Sequence, residues 1–316
     1  MPTSQLNRSL DRANLRARYL FTGALVLDTA LHIGGGRESS TVTDSPILRD
    51  NVGRPLIPGS SFKGAFRAAI ERLLPNLSQN GFRTCQLVPN YPDCLSTNRE
   101  RSQDYGQVSD AAARGNAMGV GENDTAREER KVLNRLRREH WIGQEMSDAH
   151  LLDLLAEYLC DTCKTFGSVH LAAVTQFHDL PLKDLWAEST QIRDGVGIDR
   201  DSERAIDQIK FDYEVVPAQT EFDFRMTLEN PLNRDLGLVA LGLQEFMSGM
   251  IPLGGIRSRG LGQCHLQEMK MACVDFSNPK TLRDYLTQKD WAKNAAQPLN
   301  GFVEKQMSAL LTAPTN

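Results

Sequence analysis

The order of elements in this sequence predicts an α+β fold. Three observations carry that prediction: a strand followed by an amphipathic helix near the start, a helix followed by a strand near the end, and β-rich chain between them. Residues 18–33, RYLFTGALVLDTALHI, read as an extended strand whose later half alternates, with Leu25, Leu27, Thr29 and Leu31 on one face. A helix is predicted over 61–74, because Phe62, Ala65, Phe66, Ala69, Ile70 and Leu73 recur at helical spacing and Pro75 ends the run. From 81 to about 121 the chain is rich in Asn, Asp, Gly, Ser and Pro and reads as loop. Asp124 and Thr125 ahead of Glu128 form a candidate capping box for a charged helix running toward Trp141. A further helix is predicted over 149–160, with Leu151, Leu152, Leu155 and Leu159 for its core. Strands follow over 169–177, 209–216 and 221–228, the last two flanking the turn Pro217-Ala218-Gln219. A helix over 236–250 and a strand over 262–274 close the pattern. It fits a ferredoxin-like core with insertions and equally other α+β arrangements.

At 316 residues and 40% hydrophobic content the chain can fill one large core, and we expect one elaborated domain without internal repeats. A net charge of −4 argues against a protein that coats nucleic acid indiscriminately, so any such site must be a local groove. Basic runs at Arg8–Arg18 and Arg127–Arg138 read most simply as solvated helix faces. No apolar run approaches the roughly 18 residues of a membrane span, and the opening MPTSQLNRSLDR has no signal-like apolar stretch. The expected location is cytoplasmic, where the six cysteines stay reduced and pairs at ligand spacing read as metal sites. Cys160-x2-Cys163 has the spacing of half a tetrahedral zinc site, and Cys85 with Cys94 forms a looser second pair. The alternative is four buried thiols; His140, His150 and His170 are conceivable substitute ligands.

The stretch from Leu31 to Leu74 is the densest in possible chemistry. Gly34-Gly35-Gly36 removes every Cβ at one break, which admits a closely approaching backbone or ligand. Asp44 stands alone before Ser45-Pro46, whose proline keeps the serine extended. In Pro58-Gly59-Ser60-Ser61-Phe62-Lys63-Gly64, either serine can cap the helix and leave N–H groups facing an anion. Lys63 and Arg67 project together from a polar face, and Gly64 inside the helix implies a close neighbour. The same residues also describe an ordinary amphipathic helix, and the segment lacks the glycine spacing of a Walker A loop. Near the other end, Gly254, Gly255, Gly260 and Gly262 enclose Arg257 and Arg259, so amides and guanidinium groups can converge on phosphate.

LHIGGG, TDSP and PLIPGSSFKGAFR, in that order, followed by CDTCKTFGS (160–168) and PLGGIRSRGLGQ (252–263), resemble the RAMP superfamily. The specific resemblance is to backbone subunits of type III CRISPR effector complexes. It covers most of the chain except residues 1–16, about 95–155, and the tail after about 277. The resemblance implies a ferredoxin-like, RRM-like core, with residues 17–80 as its first half and 166–276 as its second. It further implies an insertion over 81–165 with structural zinc on Cys85, Cys94, Cys160 and Cys163, and leaves 277–316 as a helical tail. The stretch from Gly195 through Arg204 resembles the thumb, a β-hairpin that splays a guide–target duplex, and would bring Ile198 and Arg200 near RNA. By the same resemblance His32, Ser60, Ser61, Lys63, Arg67, Arg257 and Arg259 contact crRNA. Asp44 is then the acid that cleaves target RNA with Mg²⁺, the 2′-hydroxyl of the target acting as nucleophile. The implied partners are crRNA, target RNA and other type III subunits, including copies or paralogues of this chain. A purely structural RNA-binding subunit and a stand-alone endoribonuclease that processes precursor RNA remain as alternatives.

Overall fold

A computed structural model describes residues 14–35, 43–85, 159–168, 171–183, 190–201 and 204–312. The loop expected over 86–121, the charged helix over 124–141, nearly all of the helix over 149–160, and Cys94, His140, His150 and His170 lie outside the described residues.

The first strand, β1 (Ala17–Leu27), ends earlier than its hydrophobic pattern predicted, because the chain bends after Leu27. There the Asp28 N–H donates to the Gln263 carbonyl at 2.9 Å. After the short β2 (Leu56–Ile57) comes helix α1 (Gly59–Leu73). This helix starts before either serine, so the expected serine cap is corrected: extended Pro58 is the N-cap and has no side-chain acceptor to offer. Asp179 supplies one from across the fold, its Oδ1 accepting the Gly59 N–H at 2.8 Å. Ser60 and Ser61 therefore sit exposed within the first turn. Pro75 falls inside a 3-10 turn (Leu74–Asn80) that continues α1.

Helix α2 (Asp161–Phe166) and strands β3 (Thr175–Phe177) and β4 (Leu180–Pro181) follow. Strands β5 (Gln191–Ile198) and β6 (Ala205–Val215) form a separate antiparallel hairpin, of which the sequence pattern had anticipated only the second strand. Strand β7 (Glu221–Glu229), helix α3 (Asn233–Met247) and strand β8 (Cys264–Asp275) then complete the principal sheet. The C-terminal segment is more than a tail. It contains α4 (Pro279–Thr287), α5 (Trp291–Asn294), α6 (Asn300–Thr312) and between them β9 (Gln297–Pro298), which pairs with β8. Leu299, Val303 and Leu310 from this region are buried in the main core.

The sheet order is β3-β7-β1-β8-β9, with every neighbouring pair antiparallel. Taking β1, α1, β3, β7, α3 and β8 in sequence gives βαββαβ with the strands arranged 2-3-1-4, which is the ferredoxin-like core the motifs implied. Aromatic residues bind the helices to the sheet. Phe62 of α1 stacks on Phe246 of α3 with centroids 4.3 Å apart, and it meets Phe224 of β7 at 5.2 Å. Each such fully buried phenylalanine contributes roughly 1.5–3 kcal/mol. Gly242 lets the helices approach, since a Cβ there would lie 2.3 Å from the Phe66 ring. No helix among the described residues is long and apolar enough to cross a membrane.

Candidate nucleic-acid interface

The glycine break after β1 and the segment carrying Asp44 lie side by side. Gly35 N–H donates to the Pro46 carbonyl at 3.0 Å and Leu48 N–H to the Ile33 carbonyl at 2.8 Å. The root of the hairpin flanks them, through bridges Leu31 to Val216 and Ser45 to Tyr213. The glycine-rich loop closes the group from the other side, with Gly255 N–H donating to the His32 carbonyl at 2.9 Å. Gly254 has φ +75°, and a Cβ there would stand 2.3 Å from the same carbonyl oxygen. Three stretches far apart in sequence, 31–48, 213–216 and 254–255, thus meet around His32.

His32 itself, expected to contact crRNA, is buried at 7% exposure. Its Nδ1 donates to the Glu214 carbonyl at 2.7 Å, and its Nε2 hydrogen-bonds the Ser45 hydroxyl at 3.3 Å. His32 therefore orients Ser45 from below. Asp44 is exposed and held reciprocally by Asp212 of β6. The Asp44 N–H donates to Asp212 Oδ1 at 2.7 Å, and the Asp212 N–H donates to Asp44 Oδ2 at 3.2 Å. The Thr43 hydroxyl also donates to Asp212 Oδ1, at 2.7 Å.

Two residues along β6, buried Glu214 repeats the arrangement. It accepts the Ile47 N–H at 3.1 Å, the Thr190 hydroxyl, and the Arg49 guanidinium in an ion pair. Burial works to raise its pKa, but the combined bonds from Thr190, Ile47 and Arg49 outweigh it and hold the carboxyl below its ordinary value. Asp212, Tyr213 and Glu214 escaped the sequence reading. The available signal was the alternation Phe211-Asp212-Tyr213-Glu214, which puts two acids on one face of an otherwise apolar strand end.

Arg257 and Arg259 are exposed in a 3-10 turn (Arg257–Arg259) bounded by left-handed Ile256 and Gly260. The Arg259 guanidinium lies 5.4 Å from the centroid of half-exposed Phe211, and Phe211 stacks beside Tyr213. Arg200 is exposed in the hairpin turn, and Ile198 pairs through its backbone with Ala205.

Along α1, Lys63 and Arg67 lie close enough for their charges to act on one another. Lys63 is half-buried, and burial, then the Arg67 charge, pushes its pKa down. The Arg67 guanidinium turns inward, donating to Glu71 at 2.7 Å, to the Gly167 carbonyl at 3.0 Å and toward Cys163 Sγ at 3.4 Å. Those internal partners occupy the group expected to bind RNA. A Cβ on Gly64 would meet nothing within 4 Å, so no described part of the chain makes the close approach expected there.

The cysteine site is assembled as the spacing anticipated, for three of its four members. The sulfurs of Cys85, Cys160 and Cys163, all buried, lie within 4.8 Å of one another and can hold a metal ion. Cys85 and Cys163 sulfurs are 3.7 Å apart, far beyond a disulfide bond and close to the roughly 3.8 Å edge of a tetrahedron with Zn–S of about 2.3 Å. Asp161 ties the two strands of chain together: it accepts the Arg83 N–H at 2.7 Å and pairs with Arg234 at 2.9 Å.

Comparison with known proteins agrees with this architecture. A 43% identical stretch of 65 residues, 20% of this chain, aligns with the protein of Methanocaldococcus jannaschii described as CRISPR system Cms endoribonuclease Csm3. Proteins of the same description from Methanothermobacter thermautotrophicus and Enterococcus italicus are 43% identical over 70 residues and 47% over 53 residues, or 21% and 16% of this chain. The matched stretches span 26%, 29% and 25% of those relatives, so the chain aligns with only about a quarter of their length. The model of the RAMP superfamily matches residues 24–265, which takes in the end of β1, α1, the hairpin, α3 and the glycine-rich loop. With that match covering well over half of the sequence, the chain belongs to the RAMP superfamily.

Proposed function

We propose that this chain is a crRNA-binding backbone subunit of a type III CRISPR ribonucleoprotein, and that it cleaves target RNA at Asp44. The observation that carries the reading is the placement of Asp44: exposed, and reciprocally bonded to Asp212 on the strand of the hairpin, next to Phe211 against which Arg259 of the glycine-rich loop lies. The similarity to proteins named Csm3 endoribonucleases supports it.

In this reading the hairpin β5–β6 is the thumb and splays a pair of the guide–target duplex. Ser60, Ser61, Lys63, Arg200, Arg257 and Arg259 face the sugar-phosphate backbone. Asp44 offers a hard carboxylate oxygen of the kind Mg²⁺ takes, alongside RNA phosphate oxygens and water. When bound, Mg²⁺ stabilises charge developing on the phosphate. The target's 2′-hydroxyl forms a new O–P bond while the P–O5′ bond breaks, leaving a 2′,3′-cyclic phosphate and a 5′-hydroxyl. Zinc on Cys85, Cys160, Cys163 and Cys94 is structural, because four thiolates leave no position for water.

The buried His32, with both ring nitrogens engaged, speaks against a histidine-centred processing nuclease. The test is cleavage by complexes assembled with Asp44→Ala. The mutant is expected to assemble and bind target but to lose the cuts this subunit makes, which wild type makes at fixed spacing and chelator abolishes. A deoxyribose at the cut position should likewise bind and stay intact. Wild-type products from the mutant would leave this chain as scaffold.

A further inference from the structure

We infer that Asp212 is the positioning residue for Asp44, acting on its orientation without being required as a charge. The inference rests on the reading of Asp44 as the cleaving acid. An exposed aspartate on a surface segment ordinarily samples several staggered side-chain rotamers. Asp44 is constrained at both ends. Its backbone N–H is taken by Asp212 Oδ1 at 2.7 Å, and its own Oδ2 accepts the Asp212 backbone N–H at 3.2 Å.

The support beneath this pair is firm. The Thr43 hydroxyl donates to the same Asp212 oxygen at 2.7 Å, Ser45 bridges in parallel to Tyr213, and the Glu214 N–H donates to the Ser45 carbonyl at 3.0 Å. Tyr213 and Glu214 are buried, so the strand under Asp212 is anchored in the fold. With Oδ2 committed to a backbone amide, the orientation of the carboxylate, and hence the direction of Oδ1, is set by β6. Misplacing a reacting group by about 1 Å can cost about 100-fold in rate. The two bonds that Asp212 accepts need an oxygen and no negative charge. An asparagine amide oxygen provides that, whereas alanine releases the Asp44 backbone from which its carboxylate reaches the Asp212 N–H at 3.2 Å.

The experiment compares Asp212→Ala, Asp212→Asn and Asp44→Ala in assembled complexes. It follows single-turnover cleavage of target RNA, target affinity, and amide hydrogen exchange of the peptide containing Asp44. Asp212→Ala is expected to slow cleavage about 10- to 100-fold with target affinity within about twofold of wild type, and to speed exchange at Asp44. Asp212→Asn is expected to restore cleavage to within about threefold and slow exchange again. An alanine variant that cuts at the wild-type rate, or that leaves exchange at Asp44 unchanged, overturns the inference. So does an asparagine variant as slow as alanine, which would make the Asp212 charge itself the requirement. Unimpaired cutting by Asp44→Ala would instead defeat the reading of Asp44, and the exchange data would still decide whether Asp212 holds it.

Discussion

Replacing Gly254 and Gly260 with alanine, one at a time, separates two costs that a glycine-rich loop combines. Both have left-handed backbone, with φ of +75° and +83°. An L-residue pays about 1–2 kcal/mol for that region, offset by about 0.4–1 kcal/mol because alanine restricts the unfolded chain. At Gly260 nothing lies within 4 Å of the added Cβ, so that variant should lose only about 1 kcal/mol. At Gly254 the Cβ would stand 2.3 Å from the His32 carbonyl oxygen and 3.0 Å from Leu31 Cδ1. The backbone must shift, weakening the 2.9 Å bond from Gly255 N–H to His32, worth about 0.5–1.5 kcal/mol net. The expected loss at Gly254 is therefore about 1.5–2.5 kcal/mol. Urea unfolding of the two variants measures this as a difference in midpoint at constant slope. The displaced carbonyl also moves His32 and Ser45, so the folded Gly254→Ala complex should cut target more slowly than Gly260→Ala. Equal midpoints for the two variants would refute the close-approach argument.

Two further outcomes are expected. Elemental analysis should find about one zinc per chain, and Cys160→Ser should release it and lower stability sharply, because metal binding is coupled to folding; zinc-free protein of undiminished stability would defeat the assignment. The depressed pKa of Glu214 gives a pH signature: its ionic bonds stabilise the fold fully above the ordinary carboxylate value of 4.5, and that stability is lost as pH falls through the lower folded value. The midpoint difference between wild type and Glu214→Gln should thus be constant near neutrality and shrink in acid, and a difference that grows in acid would contradict the ion-pair account.

What could be read in the sequence was what repeats locally. Phe62, Phe66 and Ile70 announced the buried face of α1, and all three are fully enclosed. Cys160-x2-Cys163 announced its own convergence, since two residues of spacing bring both thiols to one helix start. Interactions between distant segments left no such trace. The cap of α1 comes from Asp179, 120 residues from Gly59. Arg67 was expected to face RNA, and although Glu71 lies on its own helix, its other partners Gly167 and Cys163 arrive only through the fold. Strand β5, QIRDGVGI, lacks alternation partly because Gly195 makes room for the Phe211 ring of β6, from which a Cβ would stand 2.3 Å. Asp212 acquires meaning only once β6 is laid beside Thr43 and Asp44.

The margins of the principal sheet carry a consequence for assembly. Its three interior strands run 11, 9 and 12 residues, whereas the outermost strands are β3 with three residues and β9 with two. An edge so brief gives another chain almost no ladder of amides and carbonyls to extend. Among the described residues, these two margins of the principal sheet therefore give a second copy little on which to build continuous intermolecular sheet, the growth mode that ends in fibres. A neighbour docking at either margin must meet it through side chains, whose contacts can be weak and reversible.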